Sequence, residues 1–302
     1  MLLAVPNVSE GRDAGLIERL GEVIGRAGET GARLLDVHCD GDHGRSVFTF
    51  AARPQALADA MLRLAAVAVE AVDLAAPGRA GQHPCVGALD VAPVVYLRRE
   101  DRGAACAEAL VLAERIGVEL EVPVFLYGEL TADGGRPGRS RAELRHGGMA
   151  ALAARMAGGG EPGARLTPDF GPGVIHPRAG ATLVAARPPL VAFNLQLAPP
   201  ATLADARRVA SIVREGGAAG LPGLRAIGVE LAGGVAQVSM NVERPLELPL
   251  AEVVRAVMRQ VDVADAELVG LAPAAALDGF PADLTIRGFD PAHQVIENAL
   301  GC

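Results

Sequence analysis

The sequence predicts an α/β protein of the α+β type, with two subdomains that each consist of a mixed β-sheet covered by helices on one face. Its 302 residues suffice for two separate cores. Half of the residues are hydrophobic and 21% are charged, which is the balance of a well-packed globular chain. Strand and helix patterns alternate along both halves, and this alternation favours helices layered on a sheet.

In the first half, apolar runs rich in β-branched residues alternate with longer amphipathic segments. The runs predict strands at Leu2–Val5, Arg33–Val37, Arg45–Ala51, Gly87–Leu97 and Val122–Tyr127. The longer segments predict helices from about Asp13, from Pro54, over Glu100–Gly117 and from Arg139. One pair of neighbouring strands has no helix between its members, so the sheet should contain strands of both directions.

Two stretches rich in glycine interrupt this pattern. Thr131–Gly138 is predicted to be a surface turn, because it lacks the lysine and the helix of a phosphate loop. Gly158–Gly163 breaks both helix and strand, and we place the domain boundary there. The predicted domains are therefore residues 1–163 and residues 164–302.

The second half has the same general pattern. Strands are predicted at Ala181–Ala186, Leu190–Leu197, Leu224–Glu230, Gly234–Val242 and near Leu268–Leu271. Helices are predicted at Leu203–Glu215 and Leu250–Val261.

In two of these strands, Leu190–Leu197 and Gly234–Val242, apolar and polar residues alternate. Apolar residues on one side oppose amides and a hydroxyl on the other, namely Asn194, Gln196, Gln237, Ser239 and Asn241. A solvated face would explain the polar residues, but solvated faces usually carry charges. An enclosed cavity that binds a flat heterocycle or an amide-like group would also explain them, because a buried amide is tolerable when it is hydrogen-bonded. The pattern alone leaves both interpretations open.

The composition excludes several classes of function. All 28 basic residues are arginine, so a P-loop NTPase and a Schiff-base enzyme, which both need lysine, are excluded. A net charge of −8 and an aromatic content of 3% argue against nucleic-acid binding. Any anionic ligand must therefore meet a local arginine cluster.

The sequence also predicts a cytoplasmic location. No segment has the length and apolar character of a membrane span, and the N-terminus has no basic segment typical of a signal peptide. The cysteines show no C-x-x-C spacing, which fits free thiols in a reducing compartment.

The segment Asp36–Val47, DVHCDGDHGRSV, concentrates His38, Cys39, Asp40, Asp42 and His43 within a few positions. Ligands so close together in one loop do not easily converge on one metal ion, so we favour a polar turn between two strands and predict no metal. The neighbouring Arg45 is a candidate for binding a substrate carboxylate through its guanidinium fork.

His83 differs from the other histidines. It follows a glycine-rich turn, and Pro84 disfavours helix at His83 itself. No carboxylate lies within five residues on either side, so the ring is a candidate general base that accepts a proton and returns it. A histidine that merely stabilises a loop is the alternative, and spacing alone names no reaction.

Several segments taken together resemble one known family. They are VPNVSEGRD (Val5–Asp13), LLDV (Leu34–Val37), RSVFTF (Arg45–Phe50), QHPCVGALDVAP (Gln82–Pro93), VPVFLYGE (Val122–Glu129), PDFGP (Pro168–Pro172), VAFNLQL (Val191–Leu197), AQVSMN (Ala236–Asn241) and ELVGL (Glu267–Leu271). On these segments the chain resembles the glutamate formiminotransferase (formimidoyltransferase) family, in its stand-alone form without a cyclodeaminase domain.

This resemblance implies transfer of a formimino group from N-formimino-L-glutamate to tetrahydrofolate, giving 5-formiminotetrahydrofolate and L-glutamate in histidine degradation. It also implies a ligand tunnel between two sheets, tetrahydrofolate as co-substrate without a metal, and a homodimer formed through the N-terminal subdomain. His83 falls on the family's catalytic histidine. The folate-binding segment falls on Gly171, Pro172, Gly173, Val174, Ile175, His176, Pro177, Arg178, Ala179 and Gly180.

The resemblance implies auxiliary roles for further residues. Asn194, Gln237 and Asn241 would line the tunnel, and Arg45 and Arg178 are candidates for the carboxylates of the two substrates. Animal relatives carry a carboxylate where this chain has His38, so Asp40 is the alternative for that role. Two other functions stay open: a folate-dependent transferase that uses N-formylglutamate, and a non-catalytic folate-binding protein.

Overall fold

The computed structural model describes residues 1–25, 31–76, 85–132, 138–159 and 165–301. The contacts divide the chain into two compact units, Met1–Arg187 and Pro188–Cys302. Among the helices in these ranges, none is long and apolar enough to cross a membrane. The predicted cytoplasmic location stays a prediction.

The first unit contains a seven-stranded mixed sheet, as predicted. Its strands are β1 (Leu2–Ala4), β2 (Asn7–Val8), β3 (Arg33–Asp40), β4 (Arg45–Ala52), β5 (Leu89–Val95), β6 (Val124–Leu126) and β7 (Thr182–Arg187). Both β1 and β2 pair antiparallel with β4 and β5, and β3 pairs antiparallel with β4. Strand β7 lies parallel to β5 on one side and to β6 on the other.

Helices pack on both faces of this sheet. Helices α1 (Ala14–Gly25), α2 (Ala56–Ala71) and α3 (Arg102–Glu119) share a core with one face, whereas α4 (Arg141–Arg145) and α5 (Gly148–Met156) share a core with the other. Strand β7 alternates between the two cores, and its side chains are buried on both sides. The prediction of helices on one face is therefore wrong for this unit, because a strand buried on both faces needs cover on both.

Helix α2 begins where another helix supplies its cap. The carboxylate of Glu108 on α3 is 5% exposed and accepts hydrogen bonds from the backbone N–H groups of Gln55 and Ala58, each at 2.8 Å. These donors belong to the helix start, where backbone N–H groups have no partner within the helix. The negative charge of Glu108 is also favourable at the positive end of the α2 dipole.

The second unit contains a four-stranded sheet with the order β11–β8–β10–β9. Its strands are β8 (Val191–Leu197), β9 (Leu224–Glu230), β10 (Ala236–Val242) and β11 (Val263–Val269). All pairings are antiparallel, so the predicted mixed sheet is wrong for this unit. Helices α6 (Leu203–Val213) and α7 (Leu250–Met258) share the core of one face, and the short helices α8 (Pro291–Gln294) and α9 (Ile296–Leu300) end the described chain.

The boundary between the units differs from the one placed at Gly158–Gly163. The structure divides the chain after Arg187, so Thr182–Arg187 belongs to the first unit although the sequence placed it in the second domain. The physical reason is the parallel pairing of β7 with β5 on one side and β6 on the other, which makes β7 an inner strand of the first sheet. Gly158–Gly163 therefore falls inside the range of the first unit and does not mark its end.

Candidate functional site

Residues 77–84, and with them His83, lie outside the described residues. The chain on both sides of this segment is described. On the N-terminal side, the Leu74 N–H donates to the carbonyl of Arg178 at 2.9 Å, and Arg178 Nε donates to Asp73 Oδ2 at 3.1 Å. The residues that lead into the His83 segment are thus bound to the predicted folate segment.

The C-terminal flank is bound to the same segment. The Ala88 N–H donates to the carbonyl of Ala179 at 2.8 Å, and the Ala181 N–H donates to the carbonyl of Val86 at 2.9 Å. Between these bonds, Gly87 and Gly180 form a β-bridge. The described residues on both sides of the His83 segment therefore lie against residues 178–181.

Close backbone contact explains the glycines at this bridge. A Cβ on Gly87 would lie 1.9 Å from the carbonyl oxygen of Ala181, and one on Gly180 would lie 2.0 Å from that of Val86. Gly180 also has a φ of 71°, which side chains rarely allow. No side chain fits between the two backbone segments here, so this contact requires glycine at both positions.

Within Gly171–Gly180, the described chain is a turn whose geometry is set by His176. The His176 Nδ1 atom accepts hydrogen bonds from the N–H groups of Ala179 at 2.8 Å and Arg178 at 3.3 Å. Because Nδ1 accepts, the ring proton of the neutral form resides on Nε2. Val174 is 68% exposed at the outer part of the turn, so the segment presents side chains to its surroundings while its end is anchored.

The segment His38–His43 covers the end of β3 and the polar turn that joins β3 to β4, as the sequence favoured. Asp40 Oδ1 accepts from the N–H groups of Asp42 at 2.8 Å and His43 at 2.9 Å, and Asp40 Oδ2 is bonded to His43 Nδ1. Burial opposes ionisation of Asp40, but the hydrogen bonds from His43 outweigh it and hold the pKa of Asp40 well below its usual range. His38 lies on β3 opposite Val47 of β4. Among the described residues, no three His, Cys, Asp or Glu side chains form a group that could hold a metal.

Arg45 lies within a buried cluster of charged side chains in the first unit. Asp90 is 1% exposed; its Oδ1 accepts from the Val86 N–H at 2.7 Å, and its Oδ2 pairs with Arg145 Nη2. Burial, together with the nearby positive charges of Arg145 and Arg141, lowers the pKa of Arg45 to about 10. The carboxylates of Asp90 and Asp40 act on Arg45 in the opposite sense but do not cancel this effect.

Asp90 and Arg145 were not among the residues singled out from the sequence. A usable signal was present, because Asp90 stands inside the otherwise apolar strand Leu89–Val95, and a buried carboxylate needs a cationic partner. The identity of that partner was not readable, since Arg145 is 55 residues further along the chain. Arg178 has Asp73 as its partner within the chain, and its predicted role in binding a substrate carboxylate stays a prediction.

In the second unit, the predicted alternation is present. Asn194 is 4% exposed and Gln237 is fully buried, whereas Gln196, Ser239 and Asn241 are partly buried, so the face is enclosed at two of its five positions and its role as a ligand cavity stays a prediction. Neither amide atom of Gln237 has a hydrogen-bond partner among the described residues. Asn241 is half-buried on the same face of β10.

This face also carries charges that the sequence reading missed. The Asn194 amide donates to Glu267 Oε2 at 2.8 Å, and the Arg287 guanidinium pairs with Asp265 at 2.8 Å. In the amide orientation that satisfies both groups, Gln196 accepts from Arg287 Nη2 at 2.7 Å. The acidic residues alternate on β11, which begins at Val263, whereas the predicted strand began only near Leu268.

The comparisons with known proteins agree with this architecture. Residues 1–187 match the model of the formiminotransferase domain, N-terminal subdomain, and the match ends at the last residue of the first unit. The chain therefore belongs to the formiminotransferase family. This confirms the resemblance found in the sequence motifs.

Relatives are similar over nearly the whole chain. The glutamate formimidoyltransferase of Streptococcus pyogenes serotype M1 is 36% identical over 304 residues, covering 98% of this chain and 97% of the relative. That of Thermoplasma acidophilum is 33% identical over 297 residues, covering 96% and 94%. The formimidoyltransferase-cyclodeaminase of Gallus gallus is 36% identical over 284 residues, which cover 90% of this chain and 50% of that protein.

Proposed function

We propose that this protein is a glutamate formimidoyltransferase, which transfers the formimino group of N-formimino-L-glutamate to tetrahydrofolate and releases L-glutamate. Family membership and the names of the full-length relatives support this function. The observation that carries the proposal is the pair of anchors that join both flanks of the His83 segment to Gly171–Gly180. These anchors join the residues that flank the His83 segment to the proposed folate segment within the first unit.

In this reaction His83 moves a proton. The folate N5 is an amine that adds to the amidine carbon of the donor, and its proton must leave as the new C–N bond forms. The nitrogen of the departing glutamate must gain a proton as the old C–N bond breaks. One neutral imidazole performs both transfers in sequence, so the proton balance closes without a second acid.

The remaining contribution of the protein is to hold two reactants in line, which lowers the entropic part of the barrier by several kcal/mol. Gly171–Gly180 is the proposed folate-binding segment, and its end is hydrogen-bonded to the residues that flank the His83 segment. Asn194, Gln237 and Asn241 are the proposed contacts to the pterin ring, which both donates and accepts hydrogen bonds. The fully buried amide of Gln237 suits this role, because its donor and acceptor have no partner among the described residues.

The proposed homodimer has support from an exposed stripe on α3. The stripe consists of Ala104, Ala107, Val111, Glu114 and Val118, at spacings of three and four residues. Val111 is 48% exposed and Val118 is 70% exposed, and the neighbouring Leu110 is 40% exposed. Apart from Glu114 this stripe is apolar, and its spacing fits the same stripe on a second copy related by a twofold axis.

The dimer is tested by changing the stripe and measuring mass by light scattering. The double variant Val111→Glu/Val118→Glu should elute as a monomer, because it places carboxylates in an apolar contact. Leu246→Glu, at a 65% exposed position in the second unit, is the matched control and should keep the wild-type mass. An unchanged mass in the double variant would remove the stripe from the interface.

The transfer activity is tested with purified protein, tetrahydrofolate and two donors. We expect the protein to form 5-formiminotetrahydrofolate and L-glutamate from N-formimino-L-glutamate, and to react more slowly with N-formylglutamate, which lacks the amidine. Faster transfer from N-formylglutamate would overturn the donor assignment. Folate binding without product from either donor would favour a non-catalytic binding protein.

A further inference from the structure

The charged cluster of the first unit contains more positive charge than its own carboxylates use. Asp90 is paired with Arg145, whose side chain is 9% exposed, and Asp40 is bonded to His43. Arg45 is partly buried, and no hydrogen bond or ion pair joins its guanidinium to any residue that the structure describes. The Nε atom of Arg145 is buried and likewise has no partner in the described ranges.

Such an arrangement is unfavourable in the absence of an anion. The carboxylates of Asp90 and Asp40 attract the Arg45 guanidinium but do not offset its loss of hydration, and N–H donors without a hydrogen-bond partner add to that cost. A carboxylate supplies both the negative charge and two acceptor oxygens in the geometry that a guanidinium fork fits. Arg45 and Arg145 therefore have the chemistry of a carboxylate subsite.

The position of the cluster indicates which carboxylate it receives. Val86 donates its N–H to Asp90 and follows His83 by only three residues, so chain connectivity limits the distance between the cluster and His83. In the donor, the α-carboxylate is attached to the same carbon as the nitrogen that loses the formimino group. The tail carboxylates of tetrahydrofolate are separated from N5 by the whole aminobenzoyl group.

Resting on the proposed function, we infer that Arg45 and Arg145 bind the α-carboxylate of N-formimino-L-glutamate and thereby orient the donor. Asp90 is a positioning residue: it holds Arg145 through one oxygen and the backbone of Val86 through the other. The subsite makes the enzyme specific for formimino derivatives of α-amino acids.

The test pairs a variant with a change in the donor. Arg45→Met removes the guanidinium and keeps an aliphatic stem, and N-formimino-4-aminobutyrate lacks only the α-carboxylate. We expect Arg45→Met to lower kcat/KM for N-formimino-L-glutamate by about 10- to 100-fold, the effect of one lost charged hydrogen-bonding pair. It should change kcat/KM for the 4-aminobutyrate donor and KM for tetrahydrofolate by less than about threefold, within the usual scatter of neutral substitutions.

Two other outcomes would overturn the inference. An equal loss with both donors, or a loss absent with N-formimino-2-aminobutyrate, which lacks the γ-carboxylate, would assign Arg45 to the γ-carboxylate. A rise in KM for tetrahydrofolate alone would assign it to the folate tail. Arg115→Met is the matched control, because Arg115 forms surface ion pairs with Asp59 and Glu119, and its kinetics should equal those of wild type.

A second measurement does not depend on turnover. By calorimetry, wild type should bind the product L-glutamate at least about tenfold more tightly than 4-aminobutyrate, and Arg45→Met should lose this preference. Arg145→Lys, which keeps a positive charge beside Asp90, should lose part of this preference for L-glutamate. If wild type transfers no formimino group, the proposed function fails, and the calorimetric preference still decides whether the carboxylate subsite exists.

Discussion

Replacing Arg45 by methionine should make the ligand-free protein more stable. Burial and the charges of Arg145 and Arg141 lower the pKa of Arg45 from 12.5 to about 10. At about 1.4 kcal/mol for each pH unit, this corresponds to about 3 kcal/mol of unfavourable free energy in the folded state. Methionine keeps the aliphatic contacts of the stem, so we expect a net gain of about 1–3 kcal/mol.

The assay is calorimetric unfolding of wild type and Arg45→Met near pH 7. A gain of this size should raise the Tm of the transition that unfolds the first unit by about 2–10 °C. A base with a depressed folded-state pKa carries its full cost below that pKa and loses it as the pH rises towards the ordinary value. The stability difference should therefore be constant from about pH 6 to about pH 9.

In the presence of L-glutamate, wild type should become more stable than Arg45→Met. A ligand that binds only the folded state raises its stability, so wild type should gain Tm with glutamate while Arg45→Met should not. If the variant without ligand is less stable than wild type by more than about 1 kcal/mol, Arg45 has a structural partner, and the reasoning that assigns it to a ligand is refuted.

Three further predictions concern the framework of the site. Glu108→Gln removes the charge that caps α2 and should lower the free energy of unfolding by about 1–3 kcal/mol in urea titrations; a loss under about 0.5 kcal/mol would show that the cap is not stabilising. Gly87→Ala forces a Cβ against the Ala181 carbonyl and should cost more than about 3 kcal/mol or prevent folding, whereas a variant of wild-type stability would contradict the described bridge. Asp40→Asn should be less stable than wild type near pH 7, because hydrogen bonds from His43 depress the pKa of Asp40. The stability that an ionised Asp40 contributes is present above about pH 4 and is lost as the pH falls, so the difference in stability between wild type and variant should shrink in acid. A difference that grows in acid would contradict the assignment.

Much of the fold could be predicted because local patterns determine local structure. Strand β9, Leu224–Glu230, has the predicted bounds, and β8 and β10 present the predicted amide face. The pairing between strands that are distant in sequence could not be predicted from these local patterns. The local pattern of Thr182–Arg187 identifies a strand but contains nothing that says it completes the first sheet by parallel pairing.

In the candidate site too, single residues and motifs could be predicted from the sequence, whereas contacts between distant residues could not. His83 and Gly171–Gly180 were found through sequence motifs, and the hydrogen bonds that connect their surroundings became visible only in three dimensions. Arg45 was predicted as a carboxylate ligand from its residue type and position. Its neighbours Asp90 and Arg145 were missed, because a buried ion pair between residues distant in sequence leaves no spacing to recognise.

The role of His83 is tested most directly by single-turnover transfer from N-formimino-L-glutamate in wild type and His83→Ala, with the affinity for 5-formyltetrahydrofolate measured in parallel. We expect the variant to bind this stable folate within about threefold of wild type and to transfer the formimino group at least about 100-fold more slowly, the usual effect of losing a general base. A variant that binds the folate and transfers at the wild-type rate would contradict the mechanism.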